Sequence, residues 1–189
     1  MANRLAVVSS GGGFGDFTEP NLDESEPLSV GYLGSLNFSK LHPEFVDYLA
    51  AVNLPNFRVR LIGDLLNRDI LEQQSTRAGR PDLLEFRGYT QDVAAELRHV
   101  NVLAYLLNPR HYGTAENALL EAMSMGIVPI VLDNAAERNI VEHLCTGLVV
   151  RSPREFSEAV TWLENNPRKR VEIGRQAADT LDPQITDVV

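Results

Sequence analysis

The residues best suited by type and spacing to hold a ligand lie in the stretch 108–123. A loop there turns into a predicted helix over 114–125, for which Thr114 is a suitable N-cap. The free amide groups of the first turn would form a partial positive pole that could hold a diphosphate. Those amides belong to Glu116, Asn117 and Ala118.

Polar side chains recur along this predicted helix at spacings of three and four residues, which places them in one stripe. They are Thr114, Asn117, Glu121 and Ser124. The spacing fits two interpretations equally well. The stripe either faces a ligand, or it faces solvent and Glu116 only favours the helix dipole, by about 0.3–1 kcal/mol.

The surrounding sequence predicts the elements that must position this stretch. From Leu28 onward, apolar β runs alternate with amphipathic helical stretches, which predicts an α/β fold: a Rossmann-like three-layer sandwich with a mainly parallel sheet of about six strands. The predicted strands are 30–33, 58–62, 83–86, 102–106, 128–132 and 148–150, and the predicted helices are 43–52, 67–77, 90–98, 114–125, 135–143, 153–165 and 167–180. Ligands of such sheets bind beyond the carboxyl ends of the strands.

Composition excludes several classes of function. With 17 basic and 26 acidic residues, the formal charge of -9 disfavours binding to nucleic acid. Cys145 is the only cysteine, so the chain can form no internal disulfide, and a reducing, cytoplasmic setting is expected. No apolar run reaches the roughly 20 residues that span a bilayer, and the four histidines are scattered among different elements, so we expect neither a transmembrane segment nor a metal site.

The chain divides into three predicted parts. Residues 1–28 contain a glycine-rich stretch and an acidic, proline-containing segment, typical of a linker. The glycine pattern of a dinucleotide site breaks at Asp16. Residues 29–180 form the predicted ligand-binding domain, and 181–189 form a tail.

Several motifs together resemble the donor-binding C-terminal domain of retaining GT-B glycosyltransferases, the glycosyl transferases group 1 family. The motifs are Pro109, the run Glu121-Ala122-Met123, Gly126, the run Val128-Pro129-Ile130-Val131, Glu137, Val141 and the run Thr146-Gly147-Leu148-Val149. The family also includes glycogen and sucrose-phosphate synthases. The resemblance extends over about 30–180, and it implies that residues 1–28 include the remnant of an interdomain crossover.

The resemblance implies that Glu121 accepts hydrogen bonds from the ribose hydroxyls of a nucleotide, a role that suits a carboxylate. The first glutamate of the family motif, which contacts the donor sugar, is replaced here by Gly113. Glu116, three residues later, is the candidate to take over that catalytic contact.

A strand end similar to the family's diphosphate-binding segment occurs at Gly34, followed by Ser35 and Lys40. The family has an arginine where this chain has Ser35, and its two cations balance the charge that grows on the leaving diphosphate. Lys40 is the cation that remains. We hypothesise that Arg110, helped by His111, restores part of the missing charge.

The pair Gly88 and Tyr89 resembles the strand end that lies beside the nucleobase. Tyr89 could stack on the base, and the alternative is that it packs half-buried on the next helix. Gly63 and Asp64 follow another strand, and there we expect a turn and not a catalytic acid.

The resemblance implies transfer of a hexose from a UDP- or GDP-linked sugar, with retention of configuration and without a metal or other cofactor. The acceptor would be held by an N-terminal GT-B domain that this chain lacks, and that domain could bring the protein to the inner face of a membrane. The isolated chain should therefore bind nucleotide weakly and transfer no sugar. Two alternatives stay open: an epimerase-like enzyme that passes no sugar to an acceptor, and a catalytically silent assembly module.

Overall fold

The computed structural model describes residues 22–110 and 116–181, in which strands and helices alternate. The strands are β1 (Val30–Leu33), β2 (Val59–Ile62), β3 (Leu84–Gly88), β4 (Val102–Tyr105), β5 (Val128–Leu132) and β6 (Leu148–Val150). The helices are α1 (Phe45–Ala50), α2 (Arg68–Arg77), α3 (Val93–Leu97), α4 (Asn117–Ser124), α5 (Ala135–Arg138), α6 (Pro153–Asn165) and α7 (Pro167–Asp179).

The six strands form one parallel sheet in the order β3-β2-β1-β4-β5-β6. The first described strand, β1, lies in the middle of the sheet; the chain then winds outward to β3, returns to the middle at β4 and winds outward to β6. The strand order therefore reverses between β1 and β4, and ligands of such open sheets bind at this switch point. The Rossmann-like fold predicted from the sequence is confirmed.

Burial of the strands explains why the sequence pattern predicted them well. Every residue of β1, β4 and β5 is buried, as expected for parallel strands covered by helices on both faces. Helix α1 contacts both α2 and α6, whereas α7 packs against α4 and β5. The core lies between the sheet and these helices.

Most predicted boundaries agree with the structure within three residues. The predicted strands 128–132 and 148–150 and the predicted helix 153–165 match β5, β6 and α6 at both ends. Helix α6 begins where the sequence suggests, because the Ser152 hydroxyl accepts the amide of Glu155 and Pro153 occupies the first turn.

The predicted helix 135–143 is wrong in its second half, because α5 ends at Arg138. A side chain takes up one amide that a longer helix would bond internally, because Glu142 N–H donates to the Thr146 hydroxyl. Leu144 also has a φ of 63°, which is incompatible with a continuing α-helix. This turn leads the chain back to β6, where Val149 N–H donates to Nδ1 of His143.

The described part of the predicted linker is held to α7. Arg170 is only 3% exposed, and its guanidinium donates to the carbonyl oxygen of Glu26 at 2.5 Å. Arg168 and Glu24 add an exposed ion pair at 3.3 Å. The glycine-rich stretch of the linker and the tail after Leu181 lie outside the described residues, and the predicted domain boundaries stay predictions. Within the described ranges, no helix is long and apolar enough to cross a membrane.

Helix α7 contacts the turn before β5 so closely that one position must be glycine. A Cβ built on Gly174 would lie 2.1 Å from the carbonyl oxygen of Gly126, which is backbone and cannot rotate away. The absence of a side chain at residue 174 therefore sets the distance between α7 and the rest of the core.

We expect Gly174→Ala to lower the free energy of unfolding by about 1–3 kcal/mol, because the added methyl group overpacks this contact. The same change at an open helix position would raise stability by roughly 1 kcal/mol. Urea denaturation of the variant and of the exposed-site control Arg175→Ala measures the difference. Equal or greater stability of Gly174→Ala would show that the two backbones separate at little cost.

Candidate functional site

The carboxyl ends of β1, β2 and β3 are joined by backbone hydrogen bonds that involve three glycines. Gly34 N–H donates to the carbonyl of Ile62 at 3.0 Å, and Gly63 N–H donates to that of Gly88 at 3.1 Å. A Cβ at Gly63, whose φ is +156°, would lie 1.9 Å from the carbonyl oxygen of Gly34. Glycine at residue 63 thus allows the turn after β2 to touch the end of β1.

The loop between β1 and α1 is attached to the chain that leaves β4. Leu41 and Leu107 form an antiparallel bridge, and Asn108 N–H donates to the carbonyl of Lys40 at 2.7 Å. The Asn108 side chain also donates to the carbonyl of Phe38 at 3.1 Å. These bonds span the switch point and hold Lys40 there.

Lys40 lies over an aromatic ring at the end of β4. Its Nζ is 5.7 Å from the centroid of the Tyr105 ring and 3.7 Å from the position that a Cβ at Gly34 would occupy. The side chain is half-buried, and among the described residues it forms no ion pair. The predicted residues Gly34 and Lys40 are therefore neighbours, and the ammonium group is available to an anion.

Two buried tyrosines that the sequence analysis did not identify support this site. The hydroxyl of Tyr32 donates to the carbonyl of Ser35 at 2.8 Å, and that of Tyr105 donates to Oε2 of Glu116. Burial, followed by nearby carboxylates, raises the pKa of both hydroxyls, so both remain donors at neutral pH. A tyrosine at or near the end of a buried strand needs a polar partner, which is the signal that could have identified them.

Glu116 occupies a buried position between β4 and α4. It is 8% exposed and stands at the N-cap position of α4, but its side chain forms no capping bond because it accepts from Tyr105. The prediction that Thr114 is the N-cap is wrong, since the helix begins at Asn117, three residues later than expected. Thr114 itself lies outside the described residues, as do His111 and Gly113.

The predicted polar stripe on α4 is present in its described part. Asn117 is exposed, Ala118 is half-buried, and Ser124 donates to the backbone carbonyl of Glu121 at 2.8 Å. Glu121 is half-buried, and burial raises the pKa of its carboxyl. Within the described ranges no group donates a hydrogen bond to that carboxylate, so a ligand hydroxyl could do so.

Ser35 stands beside a carboxylate. Oδ1 of Asp64, in the turn after β2, accepts a hydrogen bond from Leu66 N–H at 3.0 Å. Burial alone would raise the pKa of Asp64, but its interactions with the Ser35 hydroxyl and with the N–H groups of Leu66 and Leu36 outweigh burial and leave the pKa below its usual value. Asp64 therefore forms the expected turn, and it also contacts the loop that carries Ser35.

The remaining predicted residues lie at the rim of this edge. Tyr89 follows β3 and is 81% exposed, so the alternative that it packs half-buried on the next helix is wrong. Arg110 is exposed, and its N–H donates to Oδ1 of Asn108 at 3.0 Å. In the described part of the chain, no three His, Cys, Asp or Glu residues are grouped to hold a metal ion.

Similar solved structures share this fold. HepE of Anabaena in complex with UDP has a TM-score of 0.74 and 21% identity, covering 94% of this chain and 55% of that chain. The C-terminal domain of a glycosyl transferase group 1 family protein, LpcC, from Francisella tularensis has a TM-score of 0.74 and 19% identity, covering 95% and 100%. Sucrose-phosphate synthase from Thermosynechococcus elongatus has a TM-score of 0.72 and 19% identity, covering 90% and 46%.

The coverage shows that this chain spans about half the length of HepE and of sucrose-phosphate synthase. No curated protein sequence matches the chain. A family model described as Glycosyl transferases group 1 matches residues 16–180, which is most of the chain. The chain therefore belongs to the glycosyl transferases group 1 family.

Proposed function

We propose that this chain is the donor-binding half of a two-domain GT-B glycosyltransferase that transfers a hexose from a UDP- or GDP-linked sugar with retention and without a metal. The observation that carries the proposal is the position of Lys40, beside Gly34 and over Tyr105, at the switch point of the sheet. Family membership supports it, as do the structures of HepE with UDP and with UDP-glucose.

The diphosphate would lie between Lys40 and the first turn of α4. An ammonium ion and unpaired helix amides both stabilise the negative charge that grows on the diphosphate as its bond to the sugar breaks. Arg110 is exposed two residues beyond Asn108, whose backbone is bonded to Lys40, so its guanidinium can add to this charge. The protein's own groups, and not a metal ion, would thus balance the negative charge of the diphosphate.

The nucleoside would lie along the same edge of the sheet. Glu121 is half-buried with a carboxylate that can accept from both ribose hydroxyls. Tyr89 presents an exposed ring after β3, and the space beside Gly88 is open, since no atom would lie within 4 Å of a Cβ there. The base can therefore stack on the ring and approach the backbone. These contacts suit uridine and guanosine alike.

Glu116 would contact the donor sugar in place of the family glutamate replaced by Gly113. One of its oxygens accepts from Tyr105, and the carboxylate has further lone pairs for a sugar hydroxyl. The acceptor would bind to a further domain, since this chain spans about half of its two-domain relatives. We therefore expect nucleotide binding but no sugar transfer by the chain alone.

Titration of the chain with UDP and GDP by calorimetry or NMR tests the proposal. We expect Glu121→Gln to weaken binding about 10- to 100-fold, because each hydrogen bond to a charged group contributes roughly 1.5–3 kcal/mol. Glu158→Gln, which changes an exposed glutamate on α6, is the matched control and should bind like the wild type. Absence of binding by the wild-type chain at millimolar nucleotide would contradict the proposed function.

The raised pKa of Glu121 also predicts a dependence of stability on pH. Because burial disfavours its ionised form, the folded state loses stability as the pH rises from the unfolded glutamate pKa through the higher folded pKa. Glu121→Gln cannot ionise, so its melting temperature relative to the wild type should be higher at pH 8 than at pH 4.

Glu158→Gln again serves as the control, since this exposed side chain should show no comparable change between the two pH values. A difference between Glu121→Gln and wild type that stays constant from pH 4 to pH 8 would mean that the Glu121 carboxyl is fully solvated.

A further inference from the structure

The turn after β2 is packed directly against the loop that should meet the phosphates. Glycine at residue 63 allows its backbone to touch Gly34, and the side chain of Asn67 donates to the carbonyl of Leu36 at 2.8 Å. Oδ1 of Asp64 accepts from Leu66 N–H at 3.0 Å, which orients the carboxyl group. The position of Asp64 relative to this loop is therefore set by backbone packing.

The carboxyl group of Asp64 faces donors that an incoming phosphate would also need. It interacts with the Ser35 hydroxyl and with Leu36 N–H, which immediately follow the glycine at the end of β1. The backbone contact between Gly63 and Gly34 places Asp64 beside this loop. Lys40 approaches the same glycine, with its Nζ 3.7 Å from the position of a Cβ there. A phosphate at this strand end would thus face an ammonium group and a carboxylate.

The charge of Asp64 is not balanced by a neighbouring cation in the described ranges, where it forms no ion pair. A second carboxylate, that of Glu116, lies near the same strand end. After burial, the charges of Asp64 and Glu116 both raise the pKa of the Tyr32 hydroxyl. Ser35 can donate one hydrogen bond but carries no charge that could offset Asp64.

We propose that Asp64 is an internal competitor for the phosphate of the donor: its carboxylate is packed against the loop that carries the Ser35 and Leu36 donors, repels the diphosphate, and so sets how strongly this chain favours a charged nucleotide over a neutral nucleoside. The inference rests on the proposed function, since it concerns the same site. Nucleotide affinity then depends on the balance between Lys40 and Asp64.

The test is the affinity of Asp64→Asn for UDP and for uridine, measured by NMR titration. The amide oxygen of asparagine can still accept from Leu66 N–H, so the turn is retained while the charge is removed. We expect Asp64→Asn to bind UDP about fivefold to tenfold more tightly than the wild type, from removal of a like charge at short range. Uridine, which has no phosphate, should bind the two proteins equally.

Asp69→Asn is the matched control, because Asp69 is an exposed residue in the first turn of α2 and the variant changes the net charge by the same amount. It should alter UDP affinity less than twofold. Equal UDP affinities of Asp64→Asn and Asp69→Asn, weaker UDP binding by Asp64→Asn, or an equal gain for uridine would each overturn the inference.

The outcomes separate this inference from the proposed function. If the wild type binds UDP and Glu121→Gln weakens that binding, the proposed function stands, and only the comparison of the two aspartate variants decides the role of Asp64. If neither the wild type nor Asp64→Asn binds UDP at millimolar concentration, both proposals fail together.

Discussion

The attachment of the β1–α1 loop to the end of β4 is the constraint on which the candidate site depends. His42 N–H donates to the carbonyl of Leu106, and Asn108 N–H donates to that of Lys40, so the two segments are held together by backbone bonds. Because this contact crosses the point where the strand order reverses, it brings together groups from both halves of the sheet. Lys40 is thereby placed over Tyr105, although its ammonium group forms no ion pair with any of the residues that the structure describes.

The two departures from the family pattern, at Ser35 and at Gly113, each involve a carboxylate near this contact. Ser35 stands where the family has an arginine, and its hydroxyl interacts with Asp64. The loss of a cation therefore coincides with a carboxylate that forms no ion pair in the described part of the chain. Glu116, the candidate to replace the glutamate missing at residue 113, is held by Tyr105 in a buried position. Its orientation is set by a strand residue and not by a helix cap.

One carboxylate of the candidate site lowers the stability of the folded chain, as is common for groups that bind a ligand. Glu121 is a half-buried carboxylate without a described hydrogen-bond donor, and burial raises its pKa. Burying a charge without a partner is unfavourable for folding, and such groups cluster where ligands bind. By contrast, the buried guanidinium of Arg170 has a protein partner in the carbonyl of Glu26, so it stabilises the attachment of the segment before β1.

The sequence by itself determined the strands, most helices and the type of fold, because periodic burial is a local property that is written into neighbouring residues. It also singled out Glu121 and the 108–123 stretch through residue type and spacing, and Lys40 through the resemblance to a known family. Only the tertiary structure decided that α5 ends at Arg138 and that α4 begins at Asn117. At α5 the amide of Glu142 is satisfied by the Thr146 hydroxyl, whose position depends on packing. At α4 the Glu116 carboxyl accepts from Tyr105 and forms no helix cap.

The pairs Tyr105 with Glu116 and Ser35 with Asp64 were likewise decided by the tertiary structure. Their members lie 11 and 29 residues apart in the chain, and no short-range pattern links them. Parallel pairing of β1 with β2 brings Ser35 and Asp64 to the same edge of the sheet, whereas packing of α4 against β4 brings Glu116 to Tyr105. Sequence periodicity specifies which residues are buried, whereas packing specifies which buried residues meet.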